Sequence, residues 1–158
     1  MAVLEILKEG NPILRTICED VDLTTEKEEI SKLVMNMLDT VKSVDGAGIA
    51  APQIGITKKV IVIRDIKNNK FFEMINPEIL WTSFDKQFEY EGCLSILDEN
   101  NEPIHKRIVR YDRIKVKWQD LDDNIHEERI NDRLLSRIIQ HETDHLKGKL
   151  FIDYLEKE

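Results

Sequence analysis

Two amphipathic helix patterns, one early and one late, enclose a run of short strand patterns. In a chain of 158 residues that order predicts one domain mixing helix and sheet. The first helix runs from about Thr25 to Val44, with Ile30, Leu33, Val34, Met37, Leu38, Val41 and Val44 on one stripe. Thr25 and Glu28 have the spacing of a capping box. Gly46 and Gly48 end this helix and open a loop reaching Gly55. Val60 to Arg64 is a β-branched run expected to be buried on both faces, and Phe71 to Ile75 is a second strand expected to stop at Asn76-Pro77. Ile114, Val116 and Trp118 alternate with Lys115, Lys117 and Gln119, the pattern of a half-exposed strand, and Asp122-Asp123-Asn124 turns it into Ile125 to Ile130. The last helix spans about Asp132 to Lys147, capped by Asn131 or Asp132 and closed by Gly148 at C′. No repeat, low-complexity tract or linker interrupts residues 1–158.

Composition narrows the function by exclusion. The charge sum is 23 minus 31, or −8, and the pI is near 5.1. An acidic surface repels phosphate, so neither nucleic acid nor an anionic membrane is an expected partner. No apolar run approaches the ~20 residues of a membrane span, and the opening MAVLEILKEG does not read as a secretory signal. Cys18 and Cys93 are the only cysteines, too few for a disulfide framework, which makes a reducing compartment the default.

The late helix carries the chemistry. Leu134, Ile138, His141 and His145 fall on one stripe, so both histidines share a face with aliphatics. His141-Glu142-Thr143-Asp144-His145 is an HExxH pattern: two imidazoles one turn apart can bind one divalent metal, and Glu142 can act as general base. The alternative is a pair of core histidines satisfied by hydrogen bonds. A catalytic site needs a third protein ligand. The downstream HExxHxxGxxH arrangement fails, because Phe151 stands where the third histidine belongs; Asp153 and Glu156 remain formal candidates, though near and poorly directed. Upstream, Glu91-Gly92-Cys93-Leu94-Ser95 presents a cysteine in a distinctive local frame, and a thiolate is a good ligand. Cys18 has no such frame and reads as a packing residue, while His105 and His126 read as solvated surface. In the loop after the first helix, Gln53 offers a neutral amide donor able to polarise a carbonyl oxygen.

Three segments in this order, Gly46-Ala47-Gly48-Ile49-Ala50-Ala51-Pro52-Gln53, Glu91-Gly92-Cys93-Leu94-Ser95 and His141-Glu142-Thr143-Asp144-His145-Leu146-Lys147-Gly148, resemble the motifs GxGxAAxQ, EGCxS and HExDHxxG of the peptide deformylases. The resemblance extends to Gly10-Asn11-Pro12 through Leu14-Arg15, to Asn76-Pro77 and to Leu150-Phe151-Ile152-Asp153. It implies an α+β fold, with mixed or antiparallel β-sheets around a central HExxH helix. It implies hydrolysis of the N-formyl group from the initiator methionine of nascent polypeptides. Carried over by position, Cys93, His141 and His145 bind one divalent metal, typically ferrous iron with zinc, nickel or cobalt as replacements. Glu142 is the acid/base, and Gln53 with the Leu94 N–H stabilises the oxyanion. Ala47, Gly48 and Gly92 hold the substrate chain, and Glu91, Leu134 and Ile138 shape the methionine pocket. The implied partners are formyl-Met nascent chains, with a transient ribosome contact that would need a local basic patch, in a bacterial-type cytoplasm or an organelle. Two departures stand out: Ile96 to Asn101 lacks the proline turn common after the cysteine motif, and Arg133 stands where glycine is common. A related N-acyl amidase, or a non-catalytic protein with a structural metal, would share the same ligands.

Overall fold

The structure is a computed structural model that describes residues 2–155. Helix α1 spans Leu23–Ser43 and helix α2 spans Arg133–His145. Between them come β1 (Gly48–Ala50), β2 (Val60–Asp65), β3 (Lys70–Thr82), β4 (Lys86–Glu91), β5 (Lys106–Tyr111), β6 (Ile114–Gln119) and β7 (Ile125–Ile130). Short 3-10 turns occupy Pro12–Arg15, Ala51–Ile54 and Phe151–Tyr154. One antiparallel sheet has the order β1-β2-β3-β6-β7, and β4 and β5 form a second, two-stranded sheet. The fold is α+β.

The five-stranded sheet lies between the two helices, and β2 shows why. Its Val60 and Val62 pack with Ile30, Leu33, Val34, Met37 and Val41 of α1. Its Ile61 and Ile63 pack on the opposite face with Ile138, Ile139 and Leu146, within and just after α2. The unbroken VIVI run is therefore a strand covered on both faces. In β6 the expected alternation holds, with Ile114, Val116 and Trp118 buried and Lys115 and Lys117 exposed.

Three boundaries differ from expectation. Helix α1 starts two residues earlier, because Asp22 caps it by accepting from the Thr24 N–H at 3.0 Å; the Asp22 N–H in turn donates to Glu26 at 2.7 Å. The capping pair is thus Asp22 with Glu26, not Thr25 with Glu28. Strand β3 continues through Asn76-Pro77 instead of stopping there. Asn76 takes a positive φ of 52° and the register on β6 shifts between Ile75 and Glu78, so proline sits at a bulge, where its missing N–H is tolerated. The Asn76 side chain fixes the bulge by exchanging two hydrogen bonds of 2.8 Å with the Val21 backbone. The Gly46–Gly55 loop contains strand β1 and the 3-10 turn Ala51–Ile54. Strands β4 and β5 had no hydrophobic alternation to announce them: their inward residues include Gln87, Glu91 and Arg110, all buried.

Candidate metal centre

Helix α2 builds one wall. Asp132 caps it, accepting from the N–H groups of Leu134 and Leu135 at 2.9 and 3.1 Å. Its i, i+4 geometry sends His141 and His145 to the same side, where both are buried. Cys93 arrives from just beyond the end of β4 and is buried as well. The ligand atoms of Cys93, His141 and His145 all lie within 4.8 Å of one another, with Cys93 Sγ 3.5 Å from His145 Nε2. This is the only such group of three among the described residues. A soft thiolate with two imidazoles suits a divalent transition metal and leaves a coordination position open. Glu156, the other downstream carboxylate considered, lies outside the described residues. Asp153 pairs with Arg15 instead, at 2.6 Å.

Glu142 stands at the same place. Its Oε1 is buried without a hydrogen-bond partner among the described residues and lies 3.9 Å from His145 Nε2. Burial disfavours the carboxylate and pushes its pKa up to about 7. Strand β1 reaches this carboxylate because Gly48 has no side chain: a Cβ there would come 2.9 Å from Glu142 Oε2. Gln53 comes from the 3-10 turn after β1. Its Oε1 accepts from the Ala50 N–H at 2.9 Å, which fixes the amide so that Nε2 reaches Ser95 Oγ at 3.1 Å and lies 3.7 Å from Cys93 Sγ.

Of these groups Cys93, Gln53, Gly48 and Glu142 line one cleft of about 210 Å³, together with Ala47, Gly92, Leu94, Pro103 and His105; His141 and His145 are not among its lining residues. Leu134 and Ile138 are not among its lining residues: Leu134 is half-exposed and Ile138 packs in the core beneath the sheet. Glu91 is held by three neighbouring side chains. Its carboxylate accepts from His141 Nδ1, from Arg110 Nε and Nη2 at 3.1 and 2.6 Å, and from Arg137 Nη1 at 2.5 Å. Burial alone would raise this carboxyl, but the His141 and Arg110 hydrogen bonds outweigh it and hold it down at about 2.

Sequence reasoning passed over Arg110, Arg137 and the place of His105. A signal was there for Arg137, one turn before His141 on the same face of α2, but not for Arg110, which lies inward beside buried Ile108 on a strand without apolar alternation. His105 is exposed, as expected, yet it lines the cleft mouth against Gly92. His126 lies elsewhere, stacked on Trp118 and bonded to Asp120 at 2.8 Å.

Comparison with known proteins agrees in sequence and in shape. The profile of the family described as Polypeptide deformylase matches residues 3–158. A peptide deformylase of Heliobacterium modesticaldum is 41% identical over 158 residues, covering 100% of this chain and 97% of the relative. Among solved structures, peptide deformylase from Thermotoga maritima superposes with a TM-score of 0.88 at 34% identity, covering 99% of this chain and 100% of that one. The actinonin-bound class I type b peptide deformylase from Acinetobacter baumannii gives 0.87 at 33% identity, over 99% of this chain and 100% of that one. Full-length coverage at these identities shows the family: the chain belongs to the polypeptide deformylases.

Proposed function

We propose that the cleft hydrolyses the N-formyl group of formyl-Met nascent polypeptides, with Cys93, His141 and His145 holding one divalent metal and Glu142 acting as acid and base. The observation that carries this reading is the buried, unpartnered Oε1 of Glu142 beside a Cys-His-His cluster, with Glu142 and Cys93 both lining the cleft. The fit is chemical as well as spatial. With His141 Nδ1 bonded to Glu91, its Nε2 is left for the metal, and Cys93 lies on the Nε2 side of His145. Ferrous iron is the proposed native ion, with zinc, nickel or cobalt as replacements.

When bound, the cation supplies Lewis acidity, which polarises the formyl carbonyl and makes a water acidic enough to react near neutral pH. Glu142 removes the proton from the attacking water and then delivers it to the leaving amine as the C–N bond breaks. The products are formate and a free amino terminus. Gln53 Nε2 directs one N–H at Ser95 Oγ and the other at Cys93 Sγ, and the latter turns to the developing oxyanion when substrate enters; the Leu94 N–H is the other donor, and each is worth about 3 kcal/mol. Backbone at Ala47, Gly48 and Gly92 holds the substrate chain along the cleft walls. Glu91, Leu134 and Ile138 are the residues proposed to shape the methionine pocket, beyond the lining of the cleft itself.

Residues 1–158 act as one catalytic domain in this reading, and the cytoplasm is its proposed compartment. Both cysteines are free thiols, and a thiolate ligand needs reducing surroundings. Among the described residues no helix is long and apolar enough to cross a membrane. The test of specificity is a comparison of metal-loaded protein on formyl-Met, acetyl-Met and internal peptide bonds. Cleavage should be confined to the formyl group; equal cleavage of the acetyl group would make the protein a general N-acyl amidase.

A further inference from the structure

Residues outside the cleft are wired to a metal-cluster histidine by an unbroken chain of short polar contacts. The chain begins on the 3-10 turn Phe151–Tyr154, after α2. Tyr154 Oη donates to Asp144 Oδ2 at 2.8 Å. The same Asp144 oxygen accepts from Arg110 Nη1 at 2.6 Å, and the Arg110 guanidinium lies 4.9 Å from the centroid of the Tyr154 ring. Arg110 then takes both oxygens of Glu91, through Nε and Nη2, with Arg137 Nη1 a further donor to Oε2, and Glu91 Oε1 accepts from His141 Nδ1. Arg110 and Glu91 are buried, whereas Tyr154 is 44% exposed.

We propose that Tyr154 is a remote positioning residue for the metal site, acting through Asp144 and Arg110 to fix the plane of the Glu91 carboxylate and so the ring of His141. The physics is a matter of degrees of freedom. A carboxylate held at one oxygen can rotate about its own bond, and the imidazole bonded to it can follow. A planar guanidinium gripping both oxygens removes that rotation, provided the guanidinium is itself fixed. Two groups fix it: Asp144 at Nη1 and the Tyr154 ring on its face. A partly exposed tyrosine contributes little to the core, yet both its hydroxyl and its ring are spent on this one chain. Partners of metal-ligating histidines typically set metal affinity 10- to 100-fold.

The proposal rests on the metal-site reading above and is tested without any activity assay. Load wild type, Tyr154→Leu, Tyr154→Phe and Val34→Ala with cobalt(II), record the ligand-field absorption, and follow cobalt release to a chelator alongside the thermal midpoint. Val34 is buried in α1, away from the cluster, and serves as a destabilised control. Tyr154→Leu should release cobalt about tenfold faster, the low end of the effect of a histidine's direct partner, with an altered cobalt spectrum. Tyr154→Phe, which keeps the ring and loses the Asp144 bond, should release it a few-fold faster and decides the matter alone if Tyr154→Leu does not fold. Val34→Ala should release at the wild-type rate despite a lower midpoint. Wild-type release by the Tyr154 variants, or equally fast release by Val34→Ala, would overturn the positioning role. A wild-type protein that takes up no cobalt would instead overturn the metal-site reading, and this role with it.

Discussion

Helices α1 and α2 flank the same sheet but are held in place by different physics. The buried face of α1 is aliphatic apart from Thr40: Leu23, Ile30, Leu33, Val34, Met37 and Val41. Helix α2 is buried over nine of its thirteen residues, yet only Ile138 and Ile139 of those nine are apolar. Its other buried positions carry Arg137, Gln140, His141, Glu142 and His145 among them. Polar groups are costly to bury unless paired, and most of these are paired: Gln140 donates to Tyr111 O at 2.9 Å, and Arg137 donates to Gln87 Oε1 at 3.0 Å and Ile108 O at 2.7 Å. Glu142 Oε1, Thr143 Oγ1 and His145 Nδ1 are not, and two of these three belong to residues at the cluster. One helix secures the fold by transfer of apolar surface; the other holds reactive groups in a ready state that apolar packing could not provide.

That contrast can be broken by substitution, and the largest effect should come from α2. Glu142→Ala removes the proposed base, so formate release should fall by about 10²- to 10⁴-fold while metal content, read by elemental analysis, stays at wild type. Retained activity would place the base elsewhere. Met37→Ala on α1 should do the reverse: a loss of about 2–5 kcal/mol in denaturant unfolding, with the turnover of the folded fraction and its metal content unchanged.

The two cysteines sharpen the comparison at the level of single atoms. Burial pushes the Cys18 thiol up to about 11. The thiolate is the reactive form, so below that value reactivity falls about tenfold per pH unit. Alkylation of Cys18 at pH 8 should therefore be slow and should climb as pH rises toward 11, as mass spectrometry of the labelled peptide would show. Cys18→Ala should keep the metal, and Cys93→Ala should lose it. The smallest effect is the cap of α1, where Asp22→Ala should lower stability by about 1 kcal/mol and leave catalysis untouched.

Legibility in the sequence followed the same division. The α1 stripe and the VIVI strand were readable because apolar periodicity reports burial directly. The ligand candidates were readable because few side chains can bind a metal, and four histidines and two cysteines leave few combinations. Strands β4 and β5 were not, since Gln87, Glu91 and Arg110 take the inward positions where a strand usually shows apolar residues. The role of Glu91 was hidden for the same reason: its partners Arg110 and Arg137 are 19 and 46 residues away, and only the folded arrangement brings them together. Asn76-Pro77 misled because a bulge, which needs a partner strand to exist, absorbed a residue pair that ends strands locally.

The central claim is tested most directly by loading the protein with ferrous iron under anaerobic conditions and measuring formate released from a formyl-Met peptide. The account predicts metal-dependent release of one formate per amino terminus freed, abolished by chelation and restored by iron, nickel or cobalt. Metal-loaded protein that releases no formate with any of the three would contradict it.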